Sequence, residues 1–417
     1  MSRNKKILPE LRFPEFEKDG EWVERALGKI GRFIGGGTPS TSNPDYWNGA
    51  IQWYTPTEVK NGNLKPSIRT ITEEGLKNSS AKLLPQGTIL ITTRATIGDA
   101  AIANYKCSTN QGFQSLIANK TESNLFWYYW ILQHKNELVR RSSGSTFKEI
   151  GKNEIKLIQT LSPRKIEQQK IASCLSSLDE VIEAHSQKLE LLKDHKKGLM
   201  QNLFPKEGEK APKFRFAEFE KDGEWVEKKL GEVAELTSSK RVHRADYVDS
   251  GIPFFRGKEI TELKKGKTPS DILFISEKQY LDIKEKYDVP KIGDVLITAV
   301  GTLGNVYQIS NADRFYFKDG NLIWMKNILV DTSFLEILLE VKNKEVLGTA
   351  IGSSQKALTM KALNELKLRI PKKPKEQQKI AYCLSALDEL ITAEANKIEQ
   401  LQQHKKGLMQ GLFPKIV

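Results

Sequence analysis

Cysteine is scarce in this chain: three residues, Cys107, Cys174 and Cys383, none in a C-x-x-C pair. They cannot build a disulfide framework or a thiolate cluster, and they read as small core residues of a reducing compartment. Histidine is nearly as rare, and His134, His185, His195, His243 and His404 lack the close spacing of metal ligands. So few histidines also argue against a Ser–His–Asp arrangement. No run approaches the ~20 apolar residues that a membrane helix needs, and the polar start MSRNKK is unlike a secretory leader. The expectation is a cytoplasmic chain with no membrane, metal or nucleophilic chemistry of its own. What the chain does have is positive charge, 65 Lys and Arg against 52 Asp and Glu, a net +13. Such an excess favours a polyanionic partner, with solvated surface as the plainer alternative. At 417 residues, more than one domain is expected.

The sequence also repeats itself. EQQKIASCLSSLDEVIEAHSQKLELLKDHKKGLMQNLFP, residues 167–205, returns at 376–414 as EQQKIAYCLSALDELITAEANKIEQLQQHKKGLMQGLFP. In the first copy Ile171, Leu175, Leu178, Ile182, His185, Leu189, Leu192, Lys196, Leu199 and Leu203 alternate steps of four and three. That is a heptad seam. The second copy keeps its register with Ile380, Leu384, Leu387, Ile391, Glu394, Ile398, Leu401, Lys405, Leu408 and Leu412. A stripe this narrow cannot be buried by one helix, so the two are expected to pair antiparallel. His185 then faces Ile398 and Glu394 faces Leu189, in adjacent layers where the two polar groups can satisfy each other. Lys196 and Lys405 are expected to pack their stems and reach solvent. Prolines mark each helix entry (SPRKIEQ, IPKKPKEQ) and each exit at LFP.

Shorter echoes extend the repeat outside the helices. EFEKDGEWVE at 15–24 recurs at 218–227, and IQWY at 51–54 aligns with IPFF at 252–255. GTILITTRATIGDAAI aligns with GDVLITAVGTLGNVYQI, and Ser143-Gly144-Ser145-Thr146 with Ile351-Gly352-Ser353-Ser354. The layout is a globular domain (1–160), a long helix (161–206), a second globular domain (207–370) and a second long helix (371–417). Thr88–Thr92 and Asp294–Thr298 read as buried strands, and 121–140 and 331–347 as helices. The run Phe126-Trp127-Tyr128-Tyr129-Trp130 reads as core, not as a base-stacking platform. Its counterpart Phe334-Leu335-Glu336-Ile337-Leu338 keeps bulk without aromaticity. Segments 35–50 and 237–250 read as surface loops.

Several strings imitate catalytic motifs. Phe33-Ile34-Gly35-Gly36-Gly37 and Asn43-Pro44-Asp45-Tyr46 suggest a methyl-donor site, but they stand too close together for the intervening strand–helix units. Gly266-Lys267-Thr268 ends like a phosphate loop, yet Thr261 stands where glycine is required. Pro44-Asp45 with Glu58-Val59-Lys60 fits a loose pattern of metal-dependent nucleases. An autonomous metal-dependent endonuclease using Asp45, Glu58 and Lys60 is therefore one alternative. The second copy keeps Asp246 and Glu259 but has Thr261 for the lysine, which favours a structural role shared by both copies.

The duplicated proline–EQQKIA entry, the heptad helix ending in HKKGLMQ and the final LFP resemble the DNA-specificity subunit of type I restriction–modification systems. GGGTPS…YWNGAIQW and GTILITTRATIG look like the target-recognition pattern of that family. Ala95 and Ala299-Val300 depart from its R-x-G-T-x-G string. The resemblance implies an α+β fold: two mixed α/β target-recognition domains related by internal repeat, separated by two long helices forming an antiparallel coiled coil. It implies a non-catalytic subunit, each domain reading one half of a bipartite target in double-stranded DNA. Methyltransferase (modification) and restriction/translocase subunits would dock on it. S-adenosylmethionine, ATP and magnesium would belong to those partners, with no cofactor in this chain. A coiled-coil adaptor that does not bind DNA remains a further alternative. About 38 residues of helix span roughly 57 Å at 1.5 Å per residue, an upper bound of about 17 base-pair steps.

Arg grips guanine edges, Asn and Gln suit adenine, and Lys more often positions on phosphate. By residue type and loop placement, the first domain's candidates are Thr38, Ser40, Thr41, Asn43, Arg94, Gln111 and Ser145. The second domain's are Ser238, Lys240, Arg241, His243, Arg244, Arg256, Lys258, Lys318, Gln355 and Lys356.

Overall fold

Lys165–Asn202 form one unbroken helix of 38 residues, and Pro374–Leu412 another of 39, in a computed structural model that describes residues 8–59, 64–144, 148–352 and 356–414. Neither helix has an internal proline; Pro374 itself stands at the start of the second, where its missing N–H costs nothing. The chain divides into two compact units, Met1–Lys188 with Glu394–Val417, and Leu189–Ala393, so each long helix belongs partly to both. Every seam position is buried or half-buried. In the first unit Ile171, Ala172 and Leu175 share a core with Met409, Leu412 and Phe413. In the second, Leu203 and Phe204 share one with Ile380, Ala381 and Leu384.

The helices run antiparallel where they meet. Within the first unit Asp179 binds Lys405 and His185 binds Glu394, so one helix's numbers rise as the other's fall. His185 Nδ1 lies 2.5 Å from Glu394 Oε1, and Lys188 Nζ lies 2.9 Å from Oε2. The polar pair thus meets directly, closer than adjacent-layer packing required. The lysines differ from expectation more. Lys405 is held by Asp179 and, in the second unit, Lys196 is held by both oxygens of Asp388 at 2.6 and 2.7 Å. A carboxylate on the facing helix offers a charge-assisted bond that open solvent does not.

The globular parts follow one plan twice. A four-stranded antiparallel sheet is ordered Gly31–Gly35, Gln114–Ala118, Ile89–Ile91, Ala100–Ile102. The second unit repeats it as Glu235–Thr237, Leu322–Lys326, Val295–Thr298, Val306–Gln308. The central runs Ile89–Ile91 and Val295–Thr298 are wholly buried, which explains why they are apolar without alternation. A smaller sheet pairs Arg69–Ile71 antiparallel and Cys107–Thr109 parallel to Trp47–Tyr54. Leu273–Ile275, Ile252–Phe255 and Tyr316–Phe317 repeat that arrangement. Trp47–Ala50, expected in a loop, belongs instead to this strand. Its tryptophan is buried against Trp53, with ring centroids 5.1 Å apart.

Each expected middle helix is two. Asn124–Gln133 breaks at His134 before Lys135–Arg140, and Thr332–Val341 breaks at Lys342 before Asn343–Gly348. At both breaks ψ turns positive, near 20°, and the His134 ring bonds back to the Trp130 carbonyl. Phe126 to Trp130 are all buried in the first unit's core, as their counterpart's composition suggested.

Candidate nucleic-acid interface

In the first unit the loop after Gly31–Gly35 is held against the smaller sheet by close backbone approach. A Cβ at Gly36 would lie 1.9 Å from the Asn110 carbonyl, and one at Gly37 would lie 2.4 Å from the Ala81 nitrogen. Only glycine fits there. Two indoles then fasten the loop: Trp53 Nε1 donates to Gly37 O at 2.9 Å and Trp47 Nε1 to Ser40 O at 3.0 Å. This leaves Ser40 and Thr41 exposed. Thr38 donates to Gln111 Oε1 at 2.6 Å, and Asn43 Oδ1 accepts from Asp45 N at 3.0 Å, capping the turn. Thr93 N bonds Gly112 O, placing Arg94 beside Gln111. Arg94 pairs with Glu149 at 2.9 Å, both about half exposed. With Thr96, Lys135 and Lys148 they line an open hollow of about 800 Å³. Thr38, Ser40, Thr41 and Asn43 thus lie on one loop rim that Thr38 ties to Gln111, and Arg94 stands on the turn bonded beside Gln111.

The second unit keeps flanking backbone bonds of the first but anchors its rim, and lines it, with different side chains. Lys240 N donates to Tyr316 OH at 2.6 Å, and burial pushes that phenol's pKa up to about 12. Val242 is buried, so Lys240, Arg241, His243 and Arg244 are turned outward around it. Arg241 meets Asp319 at 2.8 Å, and Lys240 Nζ sits 4.8 Å from the Tyr287 ring centre. Lys318 N bonds Phe255 O, just as Asn110 N bonds Tyr54 O in the first unit. That ties Lys318 to the Arg256 and Lys258 segment. Ser238 lies half-buried on the same loop. Lys356 is exposed on a hairpin whose Leu358 N bonds Ala299 O, as Ile150 N bonds Thr93 O. Among the described residues Arg244, Lys318 and Lys356 have no ion pair. Ser145, Gln355 and Lys60 lie outside the described residues.

Arg256, one of the expected contacts, is occupied within the fold more fully than Arg94 or Arg241. Arg256 is clasped by Glu259, its Nη2 2.6 Å from Oε1, and this bond holds the guanidinium above its ordinary pKa. Burial pushes Glu259 up, yet the hydrogen bonds from Arg256 outweigh it and leave the carboxyl below its usual range. Glu58 plays the equivalent part: Oε2 accepts from Thr55 N and Oγ1 at 2.8 and 2.7 Å, and Oε1 accepts from Ile68 N at 2.7 Å. Both carboxylates are caps, the structural role their presence in both copies suggested.

Two features carried no signal in sequence or were passed over. Arg69 sits over Trp47, its guanidinium carbon 3.4 Å from the ring centre, although the strand register pairs it with Trp53 and shifts between Trp47 and Ile51. Arg12 and Trp22, with Arg215 and Trp225, grip the glutamates that open the long helices. The repeat in fact starts at Arg12-Phe13 and Arg215-Phe216, and an alignment begun there would have found them.

Comparison with known proteins gives one answer. The family described as the type I restriction modification DNA specificity domain matches residues 19–194 and 222–403. A type I restriction enzyme MjaIX specificity subunit from Methanocaldococcus jannaschii is 29% identical over 415 residues, covering 95% of this chain and 93% of that protein. The MjaVIII specificity subunit from the same organism is 24% identical over 420 residues, covering 98% and 95%. The crystal structure of a type I restriction–modification S subunit from M. genitalium superposes with TM-score 0.62 at 17% identity, over 98% of this chain and all of that one. That likeness establishes the shared fold.

Proposed function

The chain belongs to the type I restriction–modification DNA-specificity family, and from that premise we propose that each unit reads one half of a split duplex target. The two rims are the readers, and the paired helices set their spacing and dock the methyltransferase subunits. The chain itself carries out no chemistry: restriction/translocase subunits, with S-adenosylmethionine, ATP and magnesium, complete the assembly in the cytoplasm. Among the described residues no helix is long and apolar enough to cross a membrane.

One observation carries this reading. The same backbone scaffold occurs twice, with the caps Glu58 and Glu259 in equivalent places, while the outward side chains differ. Thr38, Ser40, Thr41 and Asn43 stand on one rim where Lys240, Arg241, His243 and Arg244 stand on the other. A fold kept constant under variable loops is how recognition sites are diversified. Base edges are read by such polar side chains, and the cations add phosphate contacts.

The test is to map methylated adenines in DNA from cells carrying the wild-type chain, no chain, or a Lys240→Ala, Arg241→Ala, Arg244→Ala triple variant. A bipartite motif that needs the chain, and loses or changes one half in the variant, is expected. Loss of preference at both halves with folding intact would overturn modular reading. DNA cleavage by the purified chain with magnesium, abolished by Lys60→Ala, would favour the endonuclease alternative. Absence of duplex binding at low salt, alone or in the complex, would favour the adaptor.

A further inference from the structure

We infer that Arg69 is a base-reading residue of the first unit, preorganised by Trp47; the inference rests on the DNA-reading role proposed above. Its guanidinium carbon lies 3.4 Å from the Trp47 ring centre and 5.8 Å from that of Trp53, while the two indoles stand edge to face at 89°. Trp47 is 7% exposed and donates its ring N–H to Ser40 O. The platform under Arg69 is therefore fixed to the loop that carries Thr38, Ser40, Thr41 and Asn43.

Stacking on an indole face restrains the long side chain and leaves the in-plane N–H edge for an acceptor pair. Among the described residues that guanidinium makes no hydrogen bond and no ion pair, unlike Arg94, Arg241 and Arg256. Arg69 is exposed, so its donors face water until something replaces it. The bidentate acceptor that suits such a fork in duplex DNA is the O6/N7 edge of guanine or a phosphate.

The second unit decides between them. Trp53 pairs with Arg69 across the strands as Phe254 pairs with Leu273, so Leu273 is Arg69's counterpart. Leu273 packs on the core formed by Ile252, Phe254 and Ile275. A phosphate clamp serves any sequence and should persist in both readers. A base contact should differ between them, as this one does.

The experiment uses the full chain assembled with its methyltransferase subunits, carrying wild-type Arg69, Arg69→Ala or Arg69→Lys. Two readouts are taken: the methylated-adenine motif in cells, and duplex affinity against salt concentration. Both variants are expected to lose about tenfold to hundredfold discrimination at a single base pair of one half-site, the other half unchanged. Lysine should not rescue it, because it has neither the fork nor the flat face. The salt slope of Arg69→Lys should match wild type. An unchanged motif in Arg69→Ala, or discrimination retained by Arg69→Lys, overturns the inference. So does uniform weakening over all sequences with the slope reduced by about 0.9, the mark of a lost phosphate contact. A wild-type complex with no bipartite motif would instead refute the proposed function itself.

Discussion

Arg12 and Glu167 meet as two parallel hydrogen bonds, Nε to Oε1 and Nη2 to Oε2, each 2.8 Å long. Both side chains are nearly or wholly buried, 9% and 2% exposed, and Trp22 Nε1 adds a third bond at 3.2 Å. Arg215, Glu376 and Trp225 repeat the arrangement. The glutamate opens the long helix, so this cluster fixes where the helix leaves its globular part. Removing one partner of a buried pair strands the other. Glu167→Ala should therefore destabilise the chain by about 3–5 kcal/mol, read from the denaturant midpoint. A loss below about 1 kcal/mol would show the cluster to be no more than a surface bridge.

The central pair makes stability depend on acid. Hydrogen bonds from His185 and then Lys188 hold the Glu394 carboxyl below its ordinary value of 4.5. A depressed carboxylate stabilises the fold above its unfolded pKa and loses that contribution as pH falls through its folded one. Stability should thus fall below about pH 4.5 in part through Glu394. Glu394→Gln should flatten that part of the curve, measured by thermal melts at a series of pH values. An unchanged acid limb would mean that the carboxylates responsible lie elsewhere.

Ala95 occupies the left-handed region at φ 59°, where the matching turn of the second unit has Gly301 at φ 81°. The turns are otherwise alike: Thr92 Oγ1 donates to Thr96 O, and Thr298 Oγ1 to Thr302 O. A Cβ in that conformation costs roughly 1–2 kcal/mol, offset in part by alanine's lower unfolded-state entropy. Ala95→Gly should gain up to about 1 kcal/mol and Gly301→Ala should lose about as much. Opposite signs in paired melts are the expected outcome; equal signs would mean that local contacts dominate.

Affinity for duplex DNA should be strongly salt-dependent, because the net charge is +13 and the second rim is basic. Log K should fall by about 0.9 per phosphate contacted for each unit rise in log salt. A nearly flat dependence in the assembled complex would remove charge as the main source of affinity.

A fragment of residues 1–208 carries one reader and one half of a self-complementary helix pair. It should homodimerise through Ile171–Leu203, and Leu178→Glu with Leu192→Glu should abolish the dimer, by sedimentation. The structure adds a weak point. Leu11 N bonds Gly411 O, where a Cβ would lie 2.5 Å from Leu11 Cδ1, while Phe214 N bonds Asn202 O. The homodimer would set Asn202 against Leu11, so Asn202→Gly should tighten it. A strictly monomeric helical fragment at tens of micromolar would refute the pairing.

The heptad seam, the doubled layout and the buried strands were legible because each is a periodic pattern of apolar residues, and burial imposes periodicity on sequence. The seam survives at every position from Ile171 to Leu203 and from Ile380 to Leu412. The breaks at His134 and Lys342, and the carboxylate partners of Lys196 and Lys405, were not legible. They depend on which groups meet across elements. The reading rim shows the same division. Residue type and loop placement marked Lys240, Arg241 and Arg244 as outward cations. Only tertiary structure closed Arg94 on Glu149 and laid Arg69 on Trp47. A charge's availability is fixed by the neighbour that folding brings to it, and sequence spacing does not carry that distance.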